Sequence, residues 1–243
     1  MPEPLLLLHG FMQTGRGWDE VVRHLDSERY RPLAPDLRGH GAAATRRPID
    51  VASCAADVLA LGGPRFALAG YSQGGRLALQ VALAHPERVS RLVLVSATAG
   101  IEDDAERAQR RAADEQLAAW MEEDGRLMTE VADRWAAQPL FSTQSPEAAA
   151  AARADRLSNE PVHVAAALRG LGTGVMAPLW GRLSELGELP VTVLAGELDA
   201  KYVALGERLA RELSRCRLEV VTGAGHALAI EAPAAVAAAI DAS

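Results

Sequence analysis

Along most of this chain, short apolar runs alternate with stretches whose apolar residues recur every three or four positions. The runs fall at residues 5–8, 31–34, 66–69, 92–95, 191–194 and 218–221, and several end in glycine or a polar residue. A run that does not alternate apolar with polar fits a strand covered on both faces, the environment of a parallel sheet. Residues 15–25, 49–61, 73–84, 202–213 and 233–240 carry the spacing of amphipathic helices and stand as crossovers between the runs. This repetition predicts an α/β fold: a mostly parallel sheet of six strands flanked by helices, with right-handed connections. The alternation stops between residues 100 and 187, where helical periodicity and charged faces continue without a convincing strand. The expectation is a core of residues 1–99 and 188–243, with 100–187 inserted after the fourth strand as a helical cap.

Length and charge narrow the partners. A chain of 243 residues is within reach of a single hydrophobic core. The net charge of -7 argues against the basic face that nucleic acid or an anionic membrane requires, so an acidic ligand needs a local basic pocket. The first ten residues hold only four consecutive leucines and no basic residue, which is too little for a secretory signal or a membrane span. A cytoplasmic protein is expected. Cys54 and Cys216 are the two cysteines, with no ligand spacing, so neither a disulfide framework nor a zinc site is predicted. Of 25 basic residues only Lys201 is a lysine, which weakens any single arginine as a sign of anion recognition.

The chemistry is densest at residues 66–76, where an apolar run passes into Gly70-Tyr71-Ser72-Gln73-Gly74 and then a helical pattern. This is the G-x-S-x-G nucleophile elbow, in which a tight strand-to-helix turn lifts the serine clear of the sheet. A Cβ at Gly70 or Gly74 would clash there. The Gln73 amide, at a helix N-terminus, favours developing negative charge. The loop after the first run, His9-Gly10-Phe11-Met12, supplies a second donor: the Phe11 amide, or that of Met12 beside it.

A serine hydroxyl needs an imidazole within hydrogen-bond reach, itself oriented by a carboxylate. Asp199 follows the fifth run and His226 the sixth, so acid and base both fall at C-terminal strand ends, where α/β sheets place their sites. Each piece has a plain structural alternative: Asp199 could only cap the helix that follows, and Glu197 is a rival acid. Three candidates in the order Ser, acid, His, each after its own strand, favour the catalytic assignment. His9 and His40 are read as loop-shaping. His24, His85 and His163 lie in helical patterns and are assigned no chemistry.

The stretches LHGF, DLRGHG, GYSQGG, HPERVSRLVLVSA, LAGELD and GAGH resemble the α/β-hydrolase fold over essentially the whole chain. The segment between the fourth and fifth runs is more specific. Arg107 and Arg110-Arg111 before Asp114, Trp135-Ala136-Ala137-Gln138-Pro139-Leu140-Phe141, Ala167-Leu168-Arg169-Gly170, and Pro178-Leu179-Trp180 resemble the 2-succinyl-6-hydroxy-2,4-cyclohexadiene-1-carboxylate synthases of menaquinone biosynthesis, as does the acid loop running through Asp199-Ala200-Lys201-Tyr202. The resemblance implies elimination of pyruvate without hydrolysis, with Ser72 acting as base, no cofactor or metal, and a small polycarboxylate as partner. By matching motif positions it implies Arg76, Arg110 and Arg156 as carboxylate ligands, with Tyr71 and Trp135 walling the pocket. Residues 105–182 hold nine Arg against eleven Asp plus Glu, so most of these arginines belong to solvated helix faces. Two departures stand out. The hairpin that usually precedes His9-Gly10-Phe11 is expected to be missing or reduced, and Glu102 stands where an uncharged polar residue is expected.

Two other readings use the same residues. A hydrolase of small esters, thioesters or lactones would employ Ser72 as a nucleophile and needs an apolar acyl pocket with a water path. A binding protein on this fold has no physical need for an intact triad.

Overall fold

Six strands, β1 (Glu3–Leu8), β2 (Tyr30–Leu33), β3 (Phe66–Tyr71), β4 (Val89–Val95), β5 (Val191–Gly196) and β6 (Cys216–Val221), form one sheet in the order β2-β1-β3-β4-β5-β6. Every neighbouring pair runs parallel. The structure, a computed structural model, describes residues 2–243. All six expected runs fall on these strands, the second overshooting β2 by Ala34. The two edges differ from the expectation of full cover: β2 and β6 are only partly buried, and Val220 is 44% exposed, because an edge strand has a neighbour on one side only.

Helices cover both faces. On one, α2 (Val51–Gly62) and α3 (Gln73–Ala84) pack Val58, Leu77 and Val81 against Leu6, Leu68 and Leu92. On the other, α1 (Asp19–His24) and α10 (Pro233–Asp241) bury Val21, Val236 and Ile240 against Leu5, Leu7 and Val93. Side chains one position apart on β1, Leu6 and Leu7, thus serve opposite layers, as the period of two in a strand requires. The first crossover is shorter than its spacing predicts: a 3-10 turn at Gly15–Trp18 precedes α1.

Between β4 and β5 run α4 (Asp104–Met121), α5 (Met128–Ala136), α6 (Pro146–Arg156) and α7 (Pro161–Leu171), with no strand. Three of these helices bring Ala118, Met121, Val131, Val164 and Leu168 into a separate apolar cluster that includes Met12 from the loop after β1. The last part of the segment, including Leu179, Trp180 and Leu183, packs instead with the α2–α3 layer. Beyond β5 come α8 (Ala200–Glu212) and a single turn, α9 (Leu228–Glu231), which the sequence pattern does not reveal. Among the described residues no helix is long and apolar enough to cross a membrane.

The elbow glycines are required by backbone proximity. A Cβ on Gly70 would lie 2.4 Å from the Gly74 carbonyl oxygen, and one on Gly74 would lie 2.1 Å from the Leu8 carbonyl oxygen. Both obstacles are backbone, which cannot rotate away. Gly74→Ala is therefore expected to lower the urea-unfolding free energy by roughly 3 kcal/mol. Gly181→Ala, with nothing within 4 Å of the added atom, is the control and should leave the midpoint within error. Equal midpoints for both variants would refute the close-approach argument.

Candidate active site

Ser72 sits between β3 and α3 with φ 51° and ψ -108°, a left-handed backbone that a non-glycine residue adopts at a cost of about 1–3 kcal/mol. The strain is held by two bonds: the Ser72 amide donates to Val95 O at 2.9 Å, and Ser72 O accepts from the Arg76 amide at 3.1 Å. The hydroxyl is left 3.3 Å from His226 Nε2. On the other side of the ring, His226 Nδ1 donates to Asp199 Oδ2 at 2.7 Å. His226 and Asp199 are both buried, at 1% and 8% exposure, which makes their hydrogen bond strong and keeps the tautomer fixed.

Asp199 also does what its structural alternative proposed. Its Oδ1 accepts from the Tyr202 amide at the start of α8, so one carboxylate caps a helix and orients the imidazole at once. Glu197, the rival acid, is turned away and accepts from the Gly223 amide at 2.8 Å. The imidazole is further boxed by aromatic rings, with Tyr202, Tyr71 and Phe141 centroids at 4.4, 5.4 and 6.0 Å.

The loop after β1 resolves the choice between Phe11 and Met12. Of the five amides from Gly10 to Thr14, four already donate within the protein: Gly10 to Gln13 Oε1, Met12 to His40 Nε2 at 3.1 Å, Gln13 to Gly10 O, and Thr14 to Asp155 Oδ2. Only the Phe11 amide lacks a partner. With the Gln73 amide, unpaired at the first position of α3, it forms the available donor pair beside Ser72. Both histidines of the loops shape the backbone: His9 Nε2 accepts from the Leu37 amide while His40 Nε2 accepts from Met12.

Both rings must stay neutral to accept. Burial is the main reason that His9 is held below the usual histidine range and His40 is pushed down to about 3. An unfolded histidine takes its proton near 6.5, so between those values the unfolded chain binds more protons. The His40 contribution to stability is complete above pH 6.5 and is lost as pH falls toward 3. The urea midpoint is accordingly expected to drop across that window, less steeply in His40→Gln, which has nothing to titrate. An unchanged slope in that variant would remove His40 as the cause.

Three arginines converge on the serine. One cavity beside Ser72 is lined by Phe11, Gln73, Arg76, Arg110, Trp135 and Tyr202 among others, and an adjoining one by Tyr71, Phe141, Arg156 and His226. Arg76 is fully enclosed, donating to Leu171 O at 3.0 Å and to Met176 Sδ, and burial pushes its guanidinium down to about 10. Arg110 pairs through Nε with Asp114 Oδ1 at 2.8 Å and is partly exposed. Arg156 is 3% exposed, yet its Nε and Nη1 meet no acceptor among the described residues; its guanidinium lies 4.9 Å over the Phe141 ring. Burial pushes its guanidinium below the usual arginine range as well. A third, larger cavity of about 350 Å³ shares Arg110, Thr173 and Tyr202 with the serine cavity. Glu102 borders it but is ion-paired with Arg208, which stacks over Trp180, so its charge is answered away from Ser72.

The profile of the alpha/beta hydrolase family matches residues 5–239. A putative 2-succinyl-6-hydroxy-2,4-cyclohexadiene-1-carboxylate synthase of Bacillus subtilis is 36% identical, over 95% of this chain and 86% of its own length. The chain belongs to the synthase family within the alpha/beta hydrolases. A second synthase, from Salmonella typhimurium, is 30% identical over 96% of this chain and 90% of its own. The solved structure of MenH from S. aureus is 29% identical and superposes with a TM-score of 0.90, over 98% of this chain and 91% of that one.

The structure brings together the ten residues that the sequence named as triad, oxyanion donors and pocket: nine line the two cavities at Ser72, and Asp199 reaches them through His226. Others were missed. Glu231 accepts from the Gly225 amide at 2.7 Å and the Ala227 amide at 2.8 Å, bracketing His226 from both sides. No spacing announces such a residue, because its partners are backbone amides.

Proposed function

We propose that this member of the synthase family eliminates pyruvate from 2-succinyl-5-enolpyruvyl-6-hydroxy-3-cyclohexene-1-carboxylate, giving 2-succinyl-6-hydroxy-2,4-cyclohexadiene-1-carboxylate. The observation that carries the reading is the convergence of three guanidiniums on one serine, in a chain of net charge -7. The substrate carries three carboxylates, and a guanidinium binds a carboxylate with two parallel hydrogen bonds. An acyl pocket for a neutral ester has no use for a buried, unpartnered cation, whose desolvation is costly until an anion arrives.

In this reading Ser72 Oγ removes the proton from the ring carbon that bears the succinyl group, while the hydroxyl proton passes to His226 Nε2 and Asp199 stabilises the resulting imidazolium. The released electron pair forms a new ring double bond, the existing one shifts by one position, and the carbon–oxygen bond to the enolpyruvyl group breaks. The leaving group departs as the pyruvate enolate, takes up at carbon one proton, equal in number to the one held by the His226 imidazolium, and becomes pyruvate, while the imidazolium gives its proton to solvent and is neutral again. Charge that develops on the succinyl ketone oxygen falls to the Phe11 and Gln73 amides, each worth about 3–4 kcal/mol in such a role. Residues 100–187 act as a cap that brings Arg110, Trp135 and Arg156 to the serine and keeps water out, and the partner is a free small polycarboxylate in the cytoplasm.

The reading is tested by comparing kcat/KM on this substrate with values on a panel of short neutral esters and thioesters. It requires the polycarboxylate to be preferred by orders of magnitude. A preference for the neutral panel would leave the triad in place and overturn the substrate.

A further inference from the structure

The loop that offers the Phe11 amide is not held by its own strand alone. Met12 has φ 62°, a conformation that must be imposed, and both sides of its backbone are pinned. Its amide donates to His40, and its carbonyl accepts from Asn159 Nδ2 at 2.9 Å. Two residues further on, the Thr14 amide and hydroxyl both donate to the Asp155 carboxylate. Asn159 is 5% exposed, and its other side-chain atom, Oδ1, accepts from the Gly41 amide at 3.0 Å. Every polar atom of that amide side chain is therefore committed, which leaves it one orientation.

Asp155 and Asn159 flank Arg156 at the end of α6. We infer that Asp155 and Asn159 are positioning residues that tie the Phe11 amide to Arg156, so that the anion-binding arginine and the oxyanion donor are held as one rigid unit. The loop that stabilises charge in the reaction is thus preorganised by the segment that carries the anion-binding arginine, and loosening this tie costs turnover before it costs affinity. The inference rests on the reading of Phe11 as an oxyanion donor, and does not require the pyruvate-eliminating substrate.

The test uses Asn159→Ala and Asn159→Asp in the full chain. Two quantities are read: the second-order rate at which a neutral fluorophosphonate modifies Ser72, and kcat and KM on the cyclohexene substrate. The phosphonyl oxygen needs the same donors, so both the modification rate and kcat are expected to fall by about tenfold or more, with KM within about threefold. A residue that only stabilises the fold would lower the melting temperature and leave both rate constants of the folded protein unchanged, and that result would overturn the inference. If Asn159→Ala does not fold, Asn159→Asp decides: it keeps an acceptor for Gly41 and sets a carboxylate against the Met12 carbonyl. A protein that never releases pyruvate but still loses modification rate in these variants would refute the substrate and keep the positioning role.

Discussion

Ser72→Ala is expected to lower kcat for pyruvate release by three or more orders of magnitude while leaving KM and the melting temperature nearly unchanged. Removing the hydroxyl deletes the group that takes the proton, but the cavity, the arginines and the Phe11 and Gln73 amides all remain. His226→Ala should lose a similar amount, and the double variant little more than either, because a proton relay fails as a unit. Asp199→Asn should cost about three to four orders of magnitude, since an amide facing His226 Nδ1 at 2.7 Å favours the wrong tautomer. Steady-state kinetics with circular dichroism to establish folding checks all three. Near-normal turnover in Ser72→Ala would remove the serine from the chemistry.

Arg156→Met gives the second large effect, and its diagnostic feature is that activity and stability move in opposite directions. Truncating one partner of a desolvated charge pair costs about 2–5 kcal/mol, so kcat/KM on the polycarboxylate is expected to fall by two to three orders of magnitude. Without ligand, however, the guanidinium is a buried cation with two nitrogens that meet no acceptor among the described residues. Replacing it with an apolar side chain of similar length that still packs on Phe141 should leave the protein equally stable or more stable by about 1 kcal/mol. A variant that loses stability and activity in proportion would make Arg156 a structural residue.

Much of this was legible in the sequence because the fold writes its site at strand ends. Ser72, Asp199 and His226 each follow a run of apolar residues, and locating β3, β5 and β6 locates the triad. The same logic led to the loop after β1, though not to the choice within it: Phe11 and Met12 differ only in that His40, on another loop, occupies the Met12 amide. Arg156 stands out in sequence only by resemblance and residue type; its lack of a partner is a property of the packed structure. The sequence pattern assigns no role to Asn159 or Glu231. Their partners are peptide groups, one of them 147 residues away, and any residue type can supply those. The edge strands were overread as buried because the pattern of β6 is apolar enough to pass for a central strand while its surroundings are not.

The central claim is the reaction, and the most direct measurement follows pyruvate and the diene's absorbance together after the purified protein meets the freshly generated enolpyruvyl cyclohexene, with Ser72→Ala alongside. Release of the two products in equal amounts, fast with the native protein and absent beyond background with the variant, is the result predicted. Pyruvate release at the uncatalysed rate in both would contradict it.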